Sequence, residues 1–502
     1  MINISAIDVG SNAMRMVVGE VDDKWQVRAV ENVRLPVRLG GDVFGEGTLT
    51  QRTIQQAEEA FRRFKHIADR FKVHLLRAVA TSAAREATNG SLLIDHIYRT
   101  SGIELEIING EEEARLIHQA VVNALKLKKK RTLLIDIGGG SVEVTISNGR
   151  SIISTDSYNM GTVRLLEKLN EKKKSKHPFG KLVSEYAEAA RYRIDRDLGK
   201  KKIQICAGTG GNVEEIGRLR QKLFKGDSND LITLPELEKL IERLNGMSYT
   251  ERMRKLKLRP DRADVILPAS IVLHMIAKEA GVKQIAIPNV GLKDGILLDL
   301  AEELSKSERP QRKDQAWESA LYLGRKYQFD ERHARFTVGL AVRLFDQTTS
   351  LHNLNGENRL LLEMGALLHD IGHFVNAVDH DKHAFYLLNA TRLIGLSQRE
   401  QNIVANLVRY HRKRTPTTED ENFKALPQKD RSTVLKLCAL LRVADSMDVS
   451  HTALVEDVIL EESKSGWRMK IIGKDDLLLE RWSMKKRKSL FQDVFGVNLE
   501  LE

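Results

Sequence analysis

The chain has 502 residues, of which 42% are hydrophobic, and its formal net charge at pH 7 is +11. This length allows two to four domains with sizeable cores, and the positive charge favours an anionic partner. The two cysteines exclude a disulfide framework and indicate a reducing, cytoplasmic location. We expect neither a signal peptide nor an apolar run that crosses a bilayer, so the predicted protein needs no membrane.

Residues 1–118 predict a first lobe of strands and helices. Strands are expected at 2–7, 14–21 and 25–33, and helical apolar spacing covers 53–71. The segment IDVGSN at 7–12 is a glycine turn that follows an apolar strand. Glycine lets backbone N–H groups approach an oxyanion closely, and an aspartate beside such a turn can hold a divalent cation or a water. Asp8 is therefore a candidate metal ligand.

Residues 119–304 predict a second lobe in which a glycine turn again follows an apolar strand. The segment LIDIGGGS at 134–141 places Asp136 before a glycine turn, and a third glycine loop, GTGGN, follows at 208–212. Glu143 lies two residues beyond Ser141 and so shares its strand face, which predicts that it joins the cation or water site of Asp136. Together the turns predict a cleft between two lobes that binds phosphate and Mg²⁺.

Three consecutive glutamates, 111–113, begin a predicted helix. They either compensate the helix dipole or supply a general base that activates water for hydrolysis of a phosphoanhydride. Arg15 and Arg85 are the cations that we expect on the ligand, because a guanidinium suits phosphate; either could instead form a surface salt bridge. A long polyanion is further indicated by four basic segments, at 126–131, 172–176, 200–202 and 485–488.

A polar, charged break at 305–314 predicts a linker, after which 315–455 has helical apolar spacing and 456–502 predicts a small α/β appendage. In the helical segment, the order His…His-Asp…Asp resembles the HD phosphohydrolase superfamily. The four residues that form this pattern could enclose a second divalent ion: His333, His369, Asp370 and Asp445.

The earlier motifs, taken together, are similar to the exopolyphosphatase/guanosine pentaphosphate phosphohydrolase (Ppx/GppA) family. The segments that carry this resemblance come in the family's order over about residues 1–304, at 7–12, 80–87, 110–116, 136–143, 159–161, 208–212, 262–268 and 291–295. The resemblance implies two actin-like, ribonuclease-H-type lobes around a phosphate cleft, with the helix at about 292–304 returning to the first lobe. It also implies an all-α HD-like domain at 315–455, before the small C-terminal α/β domain.

The resemblance implies a role for each matching position. The catalytic glutamate falls on Glu113, with Glu112 as the fallback, and Asp8, Asp136 and Glu143 become metal or water partners. The residues that would cradle phosphate are Gly10, Ser11, Asn12, Arg15, Arg85, Gly138, Gly139, Ser141, Gly208 and Gly210.

The function that we expect from these features is Mg²⁺-dependent, processive release of terminal orthophosphate from inorganic polyphosphate. The alternative with the same chemistry is hydrolysis of guanosine pentaphosphate (pppGpp). An actin-like ATPase or sugar kinase, and a noncatalytic sensor whose HD domain hydrolyses the ligand, are further alternatives. A homodimer is the family expectation, and no nucleic acid is required.

Overall fold

A computed structural model of the chain describes residues 1–127, 129–149, 151–170, 180–181, 183–186, 188, 202–224, 228–304, 310–391, 393–412, 414–463, 466–474 and 476–502. The predicted basic segment at 172–176, and residues 128, 200 and 201 of two others, lie outside these ranges. The chain forms two compact units, residues 1–311 and 312–502. Within the described ranges, no helix has the length and hydropathy that a membrane crossing requires.

The first lobe of unit 1 is built on a five-stranded sheet with the order β3-β2-β1-β4-β5. The first three strands form an antiparallel meander, and β4 and β5 run parallel to β1. The strands are β1 Ile2–Val9, β2 Met14–Val21, β3 Val27–Leu35, β4 Leu75–Ala80 and β5 Leu105–Ile107. The helices are α1 Leu39–Glu46, α2 Gln51–Arg70, α3 Ser82–Glu86, α4 Gly90–Ser101 and α5 Gly110–Leu125. This is a ribonuclease-H-type arrangement.

The second lobe repeats this topology with one added strand, in the order β10-β11-β9-β6-β7-β8. Its strands are β6 Thr132–Ile137, β7 Val142–Ser147, β8 Ile152–Tyr158, β9 Ile205–Thr209, β10 Leu231–Thr233 and β11 Gln284–Ala286. Its helices include α6 Thr162–Asn170, α7 Gly211–Phe224, α8 Leu234–Asn245, α9 Tyr249–Leu256, α10 Pro260–Ala263 and α11 Ile266–Glu279. The predicted pair of actin-like lobes is therefore confirmed.

The last helix of unit 1, α12 (Leu292–Leu304), returns to the first lobe and packs on β1 and α5. The approach to α5 is close, because a Cβ placed on Gly295 would overlap the carbonyl oxygen of Leu116. Arg115 on α5 also donates to Asp299 on α12 at 2.9 Å. The helix that begins with the three glutamates is thus fixed from behind by the end of the same unit.

Unit 2 is helical with a small sheet, as predicted, and one continuous apolar core joins the two parts. The sheet has the order β12-β13-β14, formed by Val455–Ser463, Gly466–Gly473 and Leu499–Leu501. The helices are α13 Pro310–Lys326, α14 Glu331–Gln347, α15 Thr349–His352, α16 Gly356–Leu368, α17 His380–Ala390, α18 Gln398–Arg409, α19 Glu421–Lys424, α20 Gln428–Ser446, α21 Leu478–Arg487 and α22 Ser489–Phe495, with a 3₁₀ turn at Ile371–Phe374.

Candidate active site

The two predicted glycine turns have the same hydrogen bond at the same place. The Gly10 N–H donates to the Ala13 carbonyl at 3.2 Å, and the Gly138 N–H donates to the Ser141 carbonyl at 3.1 Å. Each turn joins the first two antiparallel strands of its sheet. The N–H groups of Gly10 and Gly138 bond within their own turns, so these two glycines shape the site.

The turns of the two lobes touch each other. A Cβ on Gly139 would lie 2.9 Å from the Cβ of Ser11 and 3.5 Å from the Asn12 nitrogen, so the approach leaves no room for a side chain there. The Ser11 hydroxyl lies 3.0 Å from the hydroxyl of Ser82, at the start of α3. These contacts bring the phosphate-binding candidates of both lobes to one cavity of about 100 Å³.

Three buried carboxylates, those of Glu113, Asp136 and Glu143, lie close together, and two of them, Glu113 and Asp136, line this cavity. Asp136 lies directly opposite Glu143 in the antiparallel pair β6–β7 and beside Thr209 in the parallel pair β6–β9. Glu113 reaches them from the first turn of α5, and one oxygen from each of these three acids lies within 4.8 Å of the others. The Thr209 hydroxyl donates to Asp136 at 2.5 Å, and that of Ser157 donates to Glu143 at 2.8 Å.

Burial raises the pKa of every acid in this group. It raises the pKa of Asp136 to about 6, and burial together with the charge of Asp136 raises the pKa of Glu143 to about 7. Burial, followed by the charges of Glu143 and Asp136, holds the pKa of Glu113 well above its ordinary value. The pKa of Asp8, which lines the same cavity, is also raised by burial. Such a group is costly to ionise unless a cation is present.

The three glutamates at the start of α5 have different surroundings. Glu113 is 7% exposed and lines the cavity. Glu112 instead accepts two hydrogen bonds from Arg115, at 2.7 and 2.9 Å, and contacts Arg77. Burial opposes ionisation of Glu112, but the Arg115 guanidinium outweighs it and lowers the pKa of Glu112 below its ordinary value. The structure therefore places Glu113, not Glu112, where it can contact a ligand.

Two guanidinium groups line the same cavity as the acids. Arg15 and Arg262 both lie against the backbone of Gly211, where a Cβ would overlap an Nη atom of each. Arg262 is 5% exposed and donates to the Asn212 side chain at 2.7 Å, while its Nε has no hydrogen-bond partner among the described residues. Burial, and then the charge of Arg15, lowers the pKa of Arg262 to about 10. Two close cations in a buried site fit an anionic ligand.

Most of the residues predicted from the sequence line this cavity: Asp8, Gly10, Ser11, Asn12, Arg15, Glu113, Asp136, Gly138, Gly139, Ser141 and Gly210. Arg85, Gly208 and Glu143 are not among the lining residues, although Glu143 lies against Glu113 and Asp136. Arg85 donates to the Ile108 carbonyl at 2.6 Å, and its charge opposes the burial that raises the pKa of Glu113. Gly208 faces the interior of the second lobe, where a Cβ would lie 2.9 Å from Val213.

Sequence reasoning missed six lining residues that carry polar side chains: Thr81, Ser82, Thr162, Asn212, Glu214 and Arg262. Four of them lie within segments that carry the family resemblance, at 80–87, 208–212 and 262–268, and Thr162 directly follows the segment at 159–161. For Thr81, Ser82 and Asn212 the available signal was a position directly after a strand or in a glycine loop, whereas Arg262 lies on a short helix that follows another helix and had no such signal. Glu214, in the first turn of α7, adds a fifth carboxylate to the site.

The acidic group fits a hard divalent cation such as Mg²⁺. Its donors are all oxygens, which Mg²⁺ prefers. One carboxylate oxygen of Glu113 and one of Glu143, both Oε2, are buried and have no hydrogen-bond partner in the part of the chain that the structure describes. An unpaired buried carboxylate oxygen is costly, and a cation at this position would offset that cost.

In unit 2 the four residues of the His…His-Asp…Asp pattern also come together. Oδ1 of Asp445 lies 3.4 Å from Nε2 of His369 and 3.7 Å from Nε2 of His333. Oδ2 of Asp370 lies 3.5 Å from Nε2 of His369. His333, His369 and Asp445 are each at most 2% exposed, so the pattern forms an interior cluster.

Comparisons with known proteins agree with the two-part organisation of the chain. The model of the Ppx/GppA phosphatase family matches residues 17–304, and the model of Ppx/GppA phosphatase domain III matches residues 317–485. A solved exopolyphosphatase from Cytophaga hutchinsonii is 23% identical over 60% of this chain and 98% of its own, with a TM-score of 0.57. The Aquifex aeolicus member of the Ppx/GppA family is 23% identical over 61% of this chain and 99% of its own, with a TM-score of 0.53. An exopolyphosphatase-like protein is 26% identical over 61% of this chain and 99% of its own, with a TM-score of 0.54.

Proposed function

Because the chain belongs to the Ppx/GppA phosphatase family, we propose that unit 1 is a Mg²⁺-dependent exopolyphosphatase that releases terminal orthophosphate from inorganic polyphosphate. The observation that carries the proposal is a single cavity that is lined by three buried carboxylates, those of Asp8, Glu113 and Asp136, and by the guanidinium groups of Arg15 and Arg262. Hydrolysis of a phosphoanhydride needs a positioned phosphoryl group, charge neutralisation and an oriented water. The acids and the arginines supply these within one site.

In the proposed mechanism, Arg15 and Arg262 bind oxygens of the terminal phosphate beside the glycine turns. Glu113 orients a water and accepts its proton at Oε2, the oxygen that has no partner among the described residues. The water oxygen forms the new bond to phosphorus, the bridging P–O bond breaks, and its electron pair leaves with the penultimate phosphate. Burial strengthens Glu113 as a base, because a carboxylate with a raised pKa binds a proton more tightly.

Asp136 and Glu143 are the proposed ligands of the Mg²⁺, with Asp8 acting directly or through water. When bound, this cation neutralises charge on the phosphate oxygens and lowers the cost of keeping the acids ionised. Thr209 and Ser157 orient the two carboxylates by donating hydrogen bonds to their other oxygens.

A polymeric substrate is favoured by charge. The net charge is +11, and Lys126, Lys129 and Lys130, just before the second lobe, are exposed. Two of the similar solved structures are also described as an exopolyphosphatase or an exopolyphosphatase-like protein. The alternative is pppGpp, for which the same site would act on the terminal phosphate of a nucleotide. Processivity and a homodimer remain predictions, which the product length distribution and light scattering would check.

The test is phosphate release from long polyphosphate and from pppGpp, with Mg²⁺ and with chelator. We expect a higher kcat/KM for polyphosphate and loss of release without the cation. A preference for pppGpp would assign the alternative substrate. Activity that is indifferent to chelation would contradict the cation requirement, and ATP-dependent phosphoryl transfer to a sugar would favour the kinase alternative.

A further inference from the structure

Arg262, one of the two guanidinium groups of the cavity, lies on a helix of only four residues, α10. The second lobe holds the end of this helix through Arg252, whose Nη1 donates to the Ala263 carbonyl at 3.1 Å. Arg252 also donates to the Leu244 carbonyl, at 2.8 and 3.1 Å. Because so short a helix has few hydrogen bonds of its own, its position depends on contacts with its surroundings.

The acids on either side of Arg262 extend this support to the first lobe. The carboxylate of Asp261 accepts a hydrogen bond from Arg34, which lies on β3. Oδ2 of Asp264 accepts one from Nη1 of Arg38 at 2.8 Å. All four side chains are at most 30% exposed, so these contacts between the lobes are better shielded from water than ordinary surface ion pairs.

Asn12 adds two hydrogen bonds to the same contact. Its Nδ2 donates to the backbone carbonyl of Asp261 at 3.1 Å, and its Oδ1 accepts from Nε of Arg38 at 2.7 Å. Asn12 lies in the first glycine turn and lines the cavity. The short helix that carries Arg262 is therefore bonded to the turn that shapes the phosphate site.

Arg262 needs this support because its neighbours are cations. Arg15 and Arg34 lie opposite each other in the antiparallel pair β2–β3. Burial, and then the charges of Arg15 and Arg34, lower the pKa of Arg262 to about 10, while the charge of Asp261 acts in the opposite direction. When no anion is bound, repulsion between these guanidinium groups favours movement of Arg262 away from Arg15, and the contacts of Asp261 and Asp264 oppose that movement.

The pair of Arg38 and Asp264 uses one of its two possible hydrogen bonds. Nη2 of Arg38 and Oδ1 of Asp264 are buried, and neither has a hydrogen-bond partner in the part of the chain that the structure describes. A guanidinium and a carboxylate can share two parallel hydrogen bonds. This pair can therefore gain a second bond if the two side chains approach each other more closely.

We propose that Asp261 and Asp264 are positioning residues for Arg262, held in turn by Arg34 and Arg38 of the first lobe. The inference rests on the proposed function, in which Arg15 and Arg262 bind the terminal phosphate. Because these two arginines belong to different lobes, the bound phosphate and the two ion pairs hold the same lobes together. Each therefore strengthens the other, since coupling between two binding events is reciprocal.

The test is the Kd of orthophosphate, measured by isothermal titration calorimetry on the full-length protein with Mg²⁺. Removing the negative charge of Asp264 beside an anion site would, by charge alone, tighten phosphate binding. The positioning role predicts the opposite sign, and Asp264→Asn should raise the Kd about tenfold. Tighter or unchanged binding in the folded variant would overturn the proposal.

The first-lobe partner tests the same pair if Asp264→Asn does not fold. Arg38→Met should raise the Kd by a similar factor, and Arg38→Lys, which keeps the charge, should recover most of the affinity. Wild-type affinity in Arg38→Met would contradict the inference.

A double-mutant cycle with Arg262 separates positioning from a general loss of structure. Arg262→Met alone should raise the Kd about 10- to 100-fold. Adding Asp264→Asn to this variant should change the Kd by less than about twofold, because Asp264 acts through Arg262. Additive losses would overturn the inference alone, whereas unchanged binding in Arg262→Met would contradict the proposed function on which it rests.

Arg220→Met is the matched control for the loss of a shielded ion pair. Arg220 pairs with Glu236 inside the second lobe, where the two side chains are 14% and 23% exposed, and neither residue lines the cavity. The Kd of this variant should stay within about twofold of the wild-type value. A rise as large as that of Asp264→Asn would show that any broken ion pair of this lobe has the same effect, and the positioning role would be wrong.

Discussion

Asp8 lies directly opposite Arg15 in the antiparallel pair β1–β2. The corresponding pair in the second lobe, Asp136 and Glu143 on β6–β7, has an acid in place of the arginine. The two lobes therefore share a strand-turn-strand arrangement, but the paired positions carry different charges in each lobe. In the proposed mechanism, the two strand pairs therefore have different roles: Asp136 and Glu143 hold the cation, whereas Arg15 binds the phosphate together with Arg262.

Replacing Glu113 by Gln should remove the base without changing the shape of the side chain. We expect kcat for polyphosphate to fall by about 10²- to 10⁴-fold, the usual contribution of a general base, with an unchanged circular dichroism spectrum. Glu112→Gln is the matched control: it weakens the contacts to Arg115 and Arg77 and should retain most of the activity. Equal losses in both variants would argue that the helix start, not the base, is what the substitutions disturb.

Gly211→Ala should displace the Arg15 and Arg262 side chains, because the new methyl group overlaps their Nη atoms. A contact to a charged group contributes about 1.5–3 kcal/mol, so we expect KM to rise about 10- to 100-fold while the fold is retained. Gly291→Ala also alters a lining glycine, but a Cβ there meets no atom within 4 Å. Its KM should stay near the wild-type value, and a rise as large as that of Gly211→Ala would contradict the arginine explanation.

The buried acids of unit 1 should make the free energy of unfolding depend on pH when no divalent cation is present. Burial raises the folded-state pKa of Asp136 to about 6 and that of Glu143 to about 7. The folded state thus binds these protons more tightly than the unfolded state, whose carboxyls titrate near pH 4. Their contribution to stability is fully present below about pH 4 and is lost as the pH rises to about 7.

Denaturant unfolding of the wild type and Glu143→Gln at pH 5.5, 6.5 and 8 measures this contribution. The difference between the two proteins should change across the series, with the wild type losing stability relative to the variant as the pH rises. Added Mg²⁺ should stabilise the wild type most at pH 8, where the acids are ionised. A pH-independent difference would show that Glu143 is not the group that titrates.

Arg115→Met should destabilise unit 1 by about 2 kcal/mol, because the partly buried carboxylates of Glu112 and Asp299 lose one of the two guanidinium groups that they share and keep only that of Arg77. Arg62→Met is the control. Arg62 is 53% exposed, and among the described residues its ion pairs are with Glu58 and Glu59 of the same helix, so we expect a loss below about 1 kcal/mol. Chemical denaturation of both variants gives the comparison, and similar values would contradict a structural role for the buried pair.

Replacing Lys129 and Lys130 by Ser should weaken binding of long polyphosphate but not of tripolyphosphate. Each phosphate contact contributes about 0.7 to the slope of log KM against log salt for a flexible single-stranded polyanion. Loss of two contacts should lower that slope by about 1.4. An unchanged slope would remove this segment from the polymer path.

The fold and the acidic half of the site could be predicted because their signals are local. Apolar runs that end in an aspartate and a glycine turn define both sheets, and Asp136 and Glu143 are close in sequence as well as in space. The resemblance to the Ppx/GppA family then linked the motifs to one another, because they come in that family's order along the chain. Such signals need no knowledge of how distant segments pack.

The remaining features depend on packing that no short segment specifies. Arg262 joins Asn212 from 50 residues away. Gly208 was predicted to bind phosphate, but successive positions on β9 face opposite sides, and it is the next residue, Thr209, that contacts Asp136. Likewise, three adjacent glutamates are equivalent as a motif, and only the orientation of α5 separates Glu113 from Glu112.

The close crossing of Gly295 and Leu116 has a consequence for biosynthesis. The helix that carries Glu113 leaves the ribosome well before its support, since residues 126–291 must be made before α12 begins. At about 5–20 residues per second, that delay is on the order of ten to thirty seconds. During it, the nascent first lobe exposes the apolar face that Ile296, Leu297 and Leu300 later cover. The start of α5, which carries Glu113, therefore gains its final support only after the last helix of unit 1 has been made.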